Sequence, residues 1–343
     1  MEKLCKYGTN RVITPQGVLP QASTKIDNDM TIKANELLID VITLNIDSAS
    51  FTQIKKACNK DVSLMEEMIM GIVKERGKMQ NPVTGSGGML IGKVKEVGSL
   101  FPDQSLKVGD KIATLVSLSL TPLVINKINS INIDNDQVNI EGTAILFETG
   151  IFAKLPLDMD EHLVLAALDV AGAPAQVDKL VKEGDSVAII GAAGKSGILC
   201  AYQAMQKATK TGKVIGVVYK ESQIKVLHDL GLCDEVVLAN ATNAIEVYDK
   251  VTEVNNGQVD VTINCVNVEN VEMSCILITK DTGIVYFFSM ATSFTKAALG
   301  AEGVGSDVTM IIGNGYTKGH AEFTLNLVNS VPKIKTLFEK KYT

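Results

Sequence analysis

The chain has no run of 18 consecutive apolar residues, and its opening stretch, MEKLCKYGTNRVITPQG, has none of the apolar core of a secretory leader. No membrane span is expected, and the protein is expected to act in the cytoplasm. Proline is scarce, at 8 of 343 residues, and only 21% of residues are charged, which excludes collagen-like, low-complexity and disordered classes. A basic excess is also missing. The 33 Lys and Arg face 39 Asp and Glu, a net charge of −6 without long blocks of one sign, so a nucleic-acid partner finds no electrostatic footprint. The three histidines (His162, His228, His320) stand apart and form no His-Glu-x-x-His. The six cysteines (Cys5, Cys58, Cys200, Cys233, Cys265, Cys275) include no Cys-x-x-Cys pair, so they read as free, mostly buried thiols rather than metal ligands or disulfides.

The 46% of apolar residues is enough for a large core, and the length favours two packed units. Residues 1–160 read as short strands (36–44, 89–97, 111–118) with a solvated Asn-rich hairpin over 126–140. Val62, Met65, Ile69, Ile72 and Val73 recur at helical spacing, which predicts one helix over 61–76. From residue 163 the pattern becomes strands alternating with helices: strands at 186–190, 213–218, 235–238, 259–265 and 283–288, helices at 196–207, 222–230, 244–254 and 271–278. Fully apolar strands in such alternation predict a doubly wound parallel sheet, which binds ligands at the carboxyl ends of its strands. After residue 300 a Gly-rich stretch and a final helical region leave the repeat, and 301–343 is expected to return to the first domain.

The strongest local signal is Ser186-Val-Ala-Ile-Ile-Gly191-Ala192-Ala193-Gly194-Lys195-Ser196-Gly197. An apolar strand, a glycine-rich turn and an amphipathic helix let the backbone approach a pyrophosphate while free amides and the helix dipole stabilise the anion. A dinucleotide cofactor, NAD or NADP, is expected here. The second strand ends in Tyr219 and Lys220 with no acid for a ribose hydroxyl; Lys220 would suit a 2′-phosphate, or be a solvated turn lysine.

Leu44-Asn45-Ile46-Asp47, Leu106-Lys-Val-Gly109-Asp110, Ala166 to Gly172, Val181-Lys-Glu-Gly184-Asp185, Gly191 to Gly197 and Val259 to Val266 resemble, in this order, the serial landmarks of the medium-chain dehydrogenases/reductases. The resemblance implies an α/β protein: a GroES-like β-rich catalytic domain (1–160), then a Rossmann domain (161–300). Zinc-dependent members carry Gly-His-Glu where this chain has Gly85-Ser86-Gly87, and a cysteine near Asn45. The resemblance thus implies no catalytic zinc, as in the quinone-reductase branch. Asn28-Asp29-Met30, Leu44 to Ser50, Asn81 to Gly88, Leu168 to Pro174, Phe288 to Gly300 and Gly313 to His320 resemble, more closely, the diaminohexanoate dehydrogenases of anaerobic lysine fermentation. That likeness implies oxidative deamination of a small diamino acid with reduction of NAD or NADP. A homo-oligomer, with a dimer favoured, is expected.

An amine loses hydride from its neutral form, its lone pair making an iminium cation, so a carboxylate base serves this chemistry and a metal is unnecessary. Asp47, Glu148 and Asp169 are acids flanked by apolar or small residues. Asp47 ends an apolar strand, where desolvation strengthens a carboxylate as a base, or it caps the helix that follows. Glu148 is similarly placed. Asp169 interrupts Leu-Ala-Ala-Leu-Asp-Val-Ala-Gly and is expected to be a buried acid needing a partner. For the substrate, Lys296 and Lys318 are candidates to seat a carboxylate, His320 a proton carrier or a satisfied cap, and Thr84 and Ser86 pocket hydroxyls. Two other readings share these features: a zinc-free quinone or enone reductase with a more apolar pocket, and a nucleotide-binding protein that has lost catalysis.

Overall fold

A computed structural model describes residues 4–156, 159–313 and 315–342, and the chain divides into two compact units, Met1–Met159 and Asp160–Thr343. The first unit holds β1 (Val12–Thr14), β2 (Lys25–Ile26), β3 (Leu37–Ile46), α1 (Ser48–Ala57), α2 (Val62–Arg76), β4 (Gly88–Val97), β5 (Lys111–Thr114), β6 (Leu123–Asn132), β7 (Gln137–Leu146) and β8 (Phe152–Lys154). Six of these strands form one antiparallel sheet in the order β6-β7-β3-β4-β5-β8. The Asn-rich stretch is the β6–β7 hairpin. β3, flanked on both sides, buries Leu37, Ile39, Leu44 and Ile46. α2 starts where Asp61 accepts hydrogen bonds from the Ser63 and Leu64 amides, and stops at Gly77, whose φ of 72° and close approach to the Ile26 carbonyl leave no room for a side chain. Its buried Met65, Ile69, Ile72 and Val73 each contribute on the order of 1.5–3 kcal/mol by leaving water. α1 was foreseen only as a helix that Asp47 would cap; its apolar positions, Phe51 and Ile54, are too few to show a period.

Lys78, just beyond Gly77, is fully buried, and its ammonium donates to the Pro20 (2.6 Å) and Ser23 (2.7 Å) carbonyls. Burial, with Arg76 nearby, pulls its pKa from 10.5 down to about 8. Between these values the unfolded chain binds more protons than the folded one, so raising the pH through that window stabilises the fold. Lys78→Met strands two buried carbonyls and is expected to lower stability by about 1–3 kcal/mol. Urea titrations at neutral pH and above pH 9 should show the gap between parent and variant widening as pH rises. A gap that narrows overturns the assignment.

The second unit comprises α3 (Glu161–Leu168), α4 (Gly172–Leu180), β9 (Ser186–Ile190), α5 (Lys195–Ala208), β10 (Lys213–Val218), α6 (Glu221–Leu230), β11 (Glu235–Leu238), α7 (Ala244–Asn255), β12 (Val259–Asn264), α8 (Glu272–Ile278), β13 (Thr279–Phe287), α9 (Phe294–Val304), β14 (Thr309–Ile312), α10 (His320–Ser330) and α11 (Pro332–Tyr342). The strands form a parallel sheet in the order β11-β10-β9-β12-β13-β14. The order reverses between β9 and β12, which opens a crevice at their carboxyl ends. Residues 301–343, for which a return to the first domain was the expectation, cluster with the second unit. β14 hydrogen-bonds to β13 as the sixth strand, while α10 packs on α3 and α4, and α11 on α3. Edge pairing and the buried Leu325, Val328, Ile334 and Phe338 hold this segment to the Rossmann unit. No helix among the described residues is long and apolar enough to cross a membrane.

Candidate functional site

The turn between β9 and α5 is shaped by its three glycines, each for a different reason. Gly191 has φ 83° and lies against Val266, so only glycine is unstrained there. Gly194 enters α5 with no side-chain cap, leaving the first amides of the helix to an outside acceptor. Gly197 lies so close to Gly191 and Ala192 that an added Cβ would stand 2.2 Å from the Gly191 carbonyl oxygen. Ala192, Ala193 and Ser196 are buried around the turn. This cradle, placed at the reversal of strand order, fits the pyrophosphate of a dinucleotide. Lys195 does not reach over it: its ammonium binds the Asp169 carboxylate at 2.5 Å and lies 5.9 Å above the Tyr342 ring. At the end of β10, Gln223 accepts from the Tyr219 and Lys220 amides, and both side chains are exposed.

In the first unit, Asp47, Thr84 and Ser86 come together through a residue that sequence reasoning did not single out. Asp47 caps α1, its Oδ1 accepting from the Ser50 amide at 3.1 Å, while its buried Oδ2 has no hydrogen-bond partner among the described residues. Ser50 is fully buried, and its hydroxyl meets Thr84 Oγ1 at 2.6 Å and Ser86 Oγ at 2.8 Å; those two oxygens lie 3.1 Å apart. Asn81 fixes the loop, donating to the Ser50 carbonyl and Gln53 and accepting from the Val83 and Thr84 amides. A weak Asp47 N–H to Gly87 carbonyl bond (3.4 Å) closes the loop onto β3. Capping and a partner-free carboxylate oxygen therefore coexist in Asp47. The signal that finds Ser50 is its position three residues after a capping Asp, where its amide must be satisfied.

The other expected residues lie elsewhere. Glu148, half-buried after β7, accepts from Asn35 at 2.9 Å. Asp169 is not buried as expected: it is the C-terminal cap of α3, about half exposed (51%) and paired with Lys195. The helix ends there, and the side chain leaves the apolar face its neighbours share. Lys296, on α9, donates to Asn270 beside a cavity of about 370 Å³ that Glu272, Met273 and Leu299 also line. Lys318 is exposed. His320 is buried at the start of α10, edge-on to Tyr316 at 5.3 Å, and burial holds its pKa below the ordinary imidazole value, against a hydrogen bond to the Thr317 backbone. Among the described residues, no group of three or more His, Cys, Asp or Glu is placed to hold a metal.

Residues 10–156 match the family model described as the L-erythro-3,5-diaminohexanoate dehydrogenase N-terminal domain. The L-erythro-3,5-diaminohexanoate dehydrogenase of Acetoanaerobium sticklandii is 60% identical over 342 residues, 99% of each chain. That of Fusobacterium nucleatum is 60% identical over 344 residues and covers both chains completely. Among solved structures, the CurK enoyl reductase (TM-score 0.54, 16% identity, 93% of this chain and 84% of that one) shares the fold. So does a mycobacterial quinone oxidoreductase (0.53, 17%, 94% and 87%). The architecture is the GroES-like plus Rossmann arrangement, and the chain belongs to the L-erythro-3,5-diaminohexanoate dehydrogenase family.

Proposed function

We propose that the protein oxidatively deaminates 3,5-diaminohexanoate: substrate, water and NAD or NADP give 5-amino-3-oxohexanoate, ammonia and the reduced cofactor. The observation that carries this reading, beside the family, is the Asp47 Oδ2 without a partner among the described residues, on a carboxylate whose other oxygen holds the amide of Ser50, the residue that gathers the three hydroxyls. A cationic amine suits such a seat, whereas an enone needs an apolar one. Asp47 takes a proton from the C3 ammonium, which frees the nitrogen lone pair to push out hydride. The nicotinamide cofactor, when bound at Gly191, Ala192, Ala193, Gly194, Ser196 and Gly197, supplies the hydride acceptor. Asp47 passes that first proton to solvent. When water attacks the iminium left at C3, the carboxylate removes one proton from the water and returns it to the nitrogen; loss of the second water proton, from the C3 hydroxyl, to solvent then forms the ketone and expels ammonia. Thr84 and Ser86 orient the amine and then the water through their hydroxyls. Glu148 and Asp169 already have partners, and Asp169 serves the cofactor end by holding Lys195 aside.

The test is spectrophotometric: diaminohexanoate with NAD and with NADP, before and after exhaustive chelation with EDTA. Reduction of the cofactor is expected with the diamino acid, no oxidation of NADH or NADPH is expected with an enone, and chelation is expected to leave the rate unchanged, because Asn45 and Ser86 offer no thiolate or imidazole to zinc. Activity lost on chelation and restored by zinc rejects the metal-free mechanism; oxidation of NADH or NADPH by an enone, with no cofactor reduction by the diamino acid, rejects the substrate.

A further inference from the structure

The hydroxyls of Ser50, Thr84 and Ser86 make three mutual contacts: Ser50 to Thr84 at 2.6 Å, Ser50 to Ser86 at 2.8 Å and Thr84 to Ser86 at 3.1 Å. A hydroxyl has one proton to give and two lone pairs to receive with, so three contacts consume all three protons. None is left to point outwards. Ser50 is fully buried, whereas Thr84 is exposed and Ser86 half-buried, so the outer two are the ones that meet a ligand. Ser86 keeps an open lone pair, and the spare one on Thr84 is met only by the Ser86 amide at 3.4 Å. Two neighbours add no proton either. Asn81 spends both protons of its side-chain amide inward, on the Ser50 carbonyl and Gln53 Oε1, and an ionised Asp47 only accepts.

We propose that Ser50 sets the selectivity of the site at the reacting atom: by keeping the Thr84 and Ser86 protons inward, it admits groups that donate, such as ammonium, iminium and water, and disfavours a carbonyl oxygen, which only accepts. This rests on the deamination reading given above. A donor gains a hydrogen bond and breaks none. A carbonyl gains one only by drawing a proton out, which gives up the Thr84 to Ser86 contact, the longest of the three. The difference is one hydrogen bond, about fivefold in affinity. Its consequence is directional, since the amine enters as a donor and the ketone leaves as an acceptor. Ser50 touches neither; it acts through the two outer hydroxyls as a positioning residue.

The test uses two short acids that differ only at C3, 3-aminobutanoate and 3-oxobutanoate, titrated into the full-length protein and followed by ligand-observed NMR, beside thermal unfolding. Asp47 also favours the amine, so the readout is the change in the amine-to-ketone ratio. Ser50→Ala keeps the backbone amide that Asp47 accepts from and leaves two protons for one contact, which frees one for the ketone. Ketone affinity is expected to rise about fivefold while amine affinity is unchanged. Thr84→Ser retains all three hydroxyls and is expected to keep the parent's ratio. A ratio that Ser50→Ala leaves unchanged overturns the proposal, as does a ratio that Thr84→Ser shifts equally. Affinity for both acids falling together with the unfolding midpoint makes Ser50 structural and overturns it too. Turnover of diaminohexanoate by the parent judges the deamination reading separately: no turnover, with the ratio shifted as expected, rejects that substrate and leaves the selectivity of the hydroxyls standing.

Discussion

Asp47→Asn is expected to lower turnover by about 10²-fold or more while the protein stays folded. The separation of these effects follows from the two oxygens of Asp47. Asparagine caps a helix about as well as aspartate, so the bond from the Ser50 amide survives the change. What is lost is the charge and basicity at the oxygen with no partner. The neutral amine must then come from solution, so the variant should recover part of its rate as the pH is raised towards the range where the substrate amine deprotonates itself. Steady-state kinetics across pH, with a circular dichroism melt, checks this. Kinetics like the parent's at all pH values would show that another group is the base, with Glu148 and Asp169 the next acids to substitute.

Gly194→Val should abolish dinucleotide binding and leave the unfolding midpoint close to the parent's. The backbone at Gly194 is extended (φ −78°, ψ 172°), which any residue adopts, and an added Cβ meets nothing nearer than the Gly191 carbonyl oxygen at 3.3 Å. The branches of valine would instead occupy the space outside the first amides of α5, where a phosphate must lie. Gly197→Ala is the contrasting variant. Its Cβ would collide with backbone atoms on both Gly191 and Ala192, so it should lose stability, and affinity only as a consequence. Calorimetry with NADH and NADPH, read against thermal melts, separates the two; full affinity in a folded Gly194→Val protein would remove the cofactor assignment.

The Rossmann unit was legible because its strands are unbroken apolar runs between polar helices: the expected strands at 186–190, 213–218 and 235–238 are β9, β10 and β11. Where that contrast fails, the reading fails. α3 buries every residue from Leu163 to Leu168 and so shows no polar face to set a period, and β14 is four residues lost in a glycine-rich tract. The same cause hid the true setting of Asp169, since an all-apolar context suggested burial where a helix end gives exposure. In the first unit Thr84, Ser86 and Asp47 were each visible as chemistry. Their meeting was not, because it depends on Ser50, 34 residues from Thr84, and on a loop closure that no local spacing encodes. Asn264 lies within the Val259 to Val266 motif, but the lack of a partner for its Nδ2 among the described residues is set by the packing around β12, which no local spacing encodes.

The three hydroxyls of Ser50, Thr84 and Ser86 form a closed triangle in which either oxygen of each pair is able to donate. Such a ring has two senses of circulation, with the same heavy-atom positions in both. A donor arriving at Thr84 or Ser86 is compatible with either sense, whereas an acceptor draws that hydroxyl's proton out of the ring and leaves Ser50, which solvent never reaches, to donate towards it. The loop and the first turn of α1 therefore share the directions of their protons, which change when an ammonium donor held there becomes a neutral amine acceptor, without any atom heavier than hydrogen having to move.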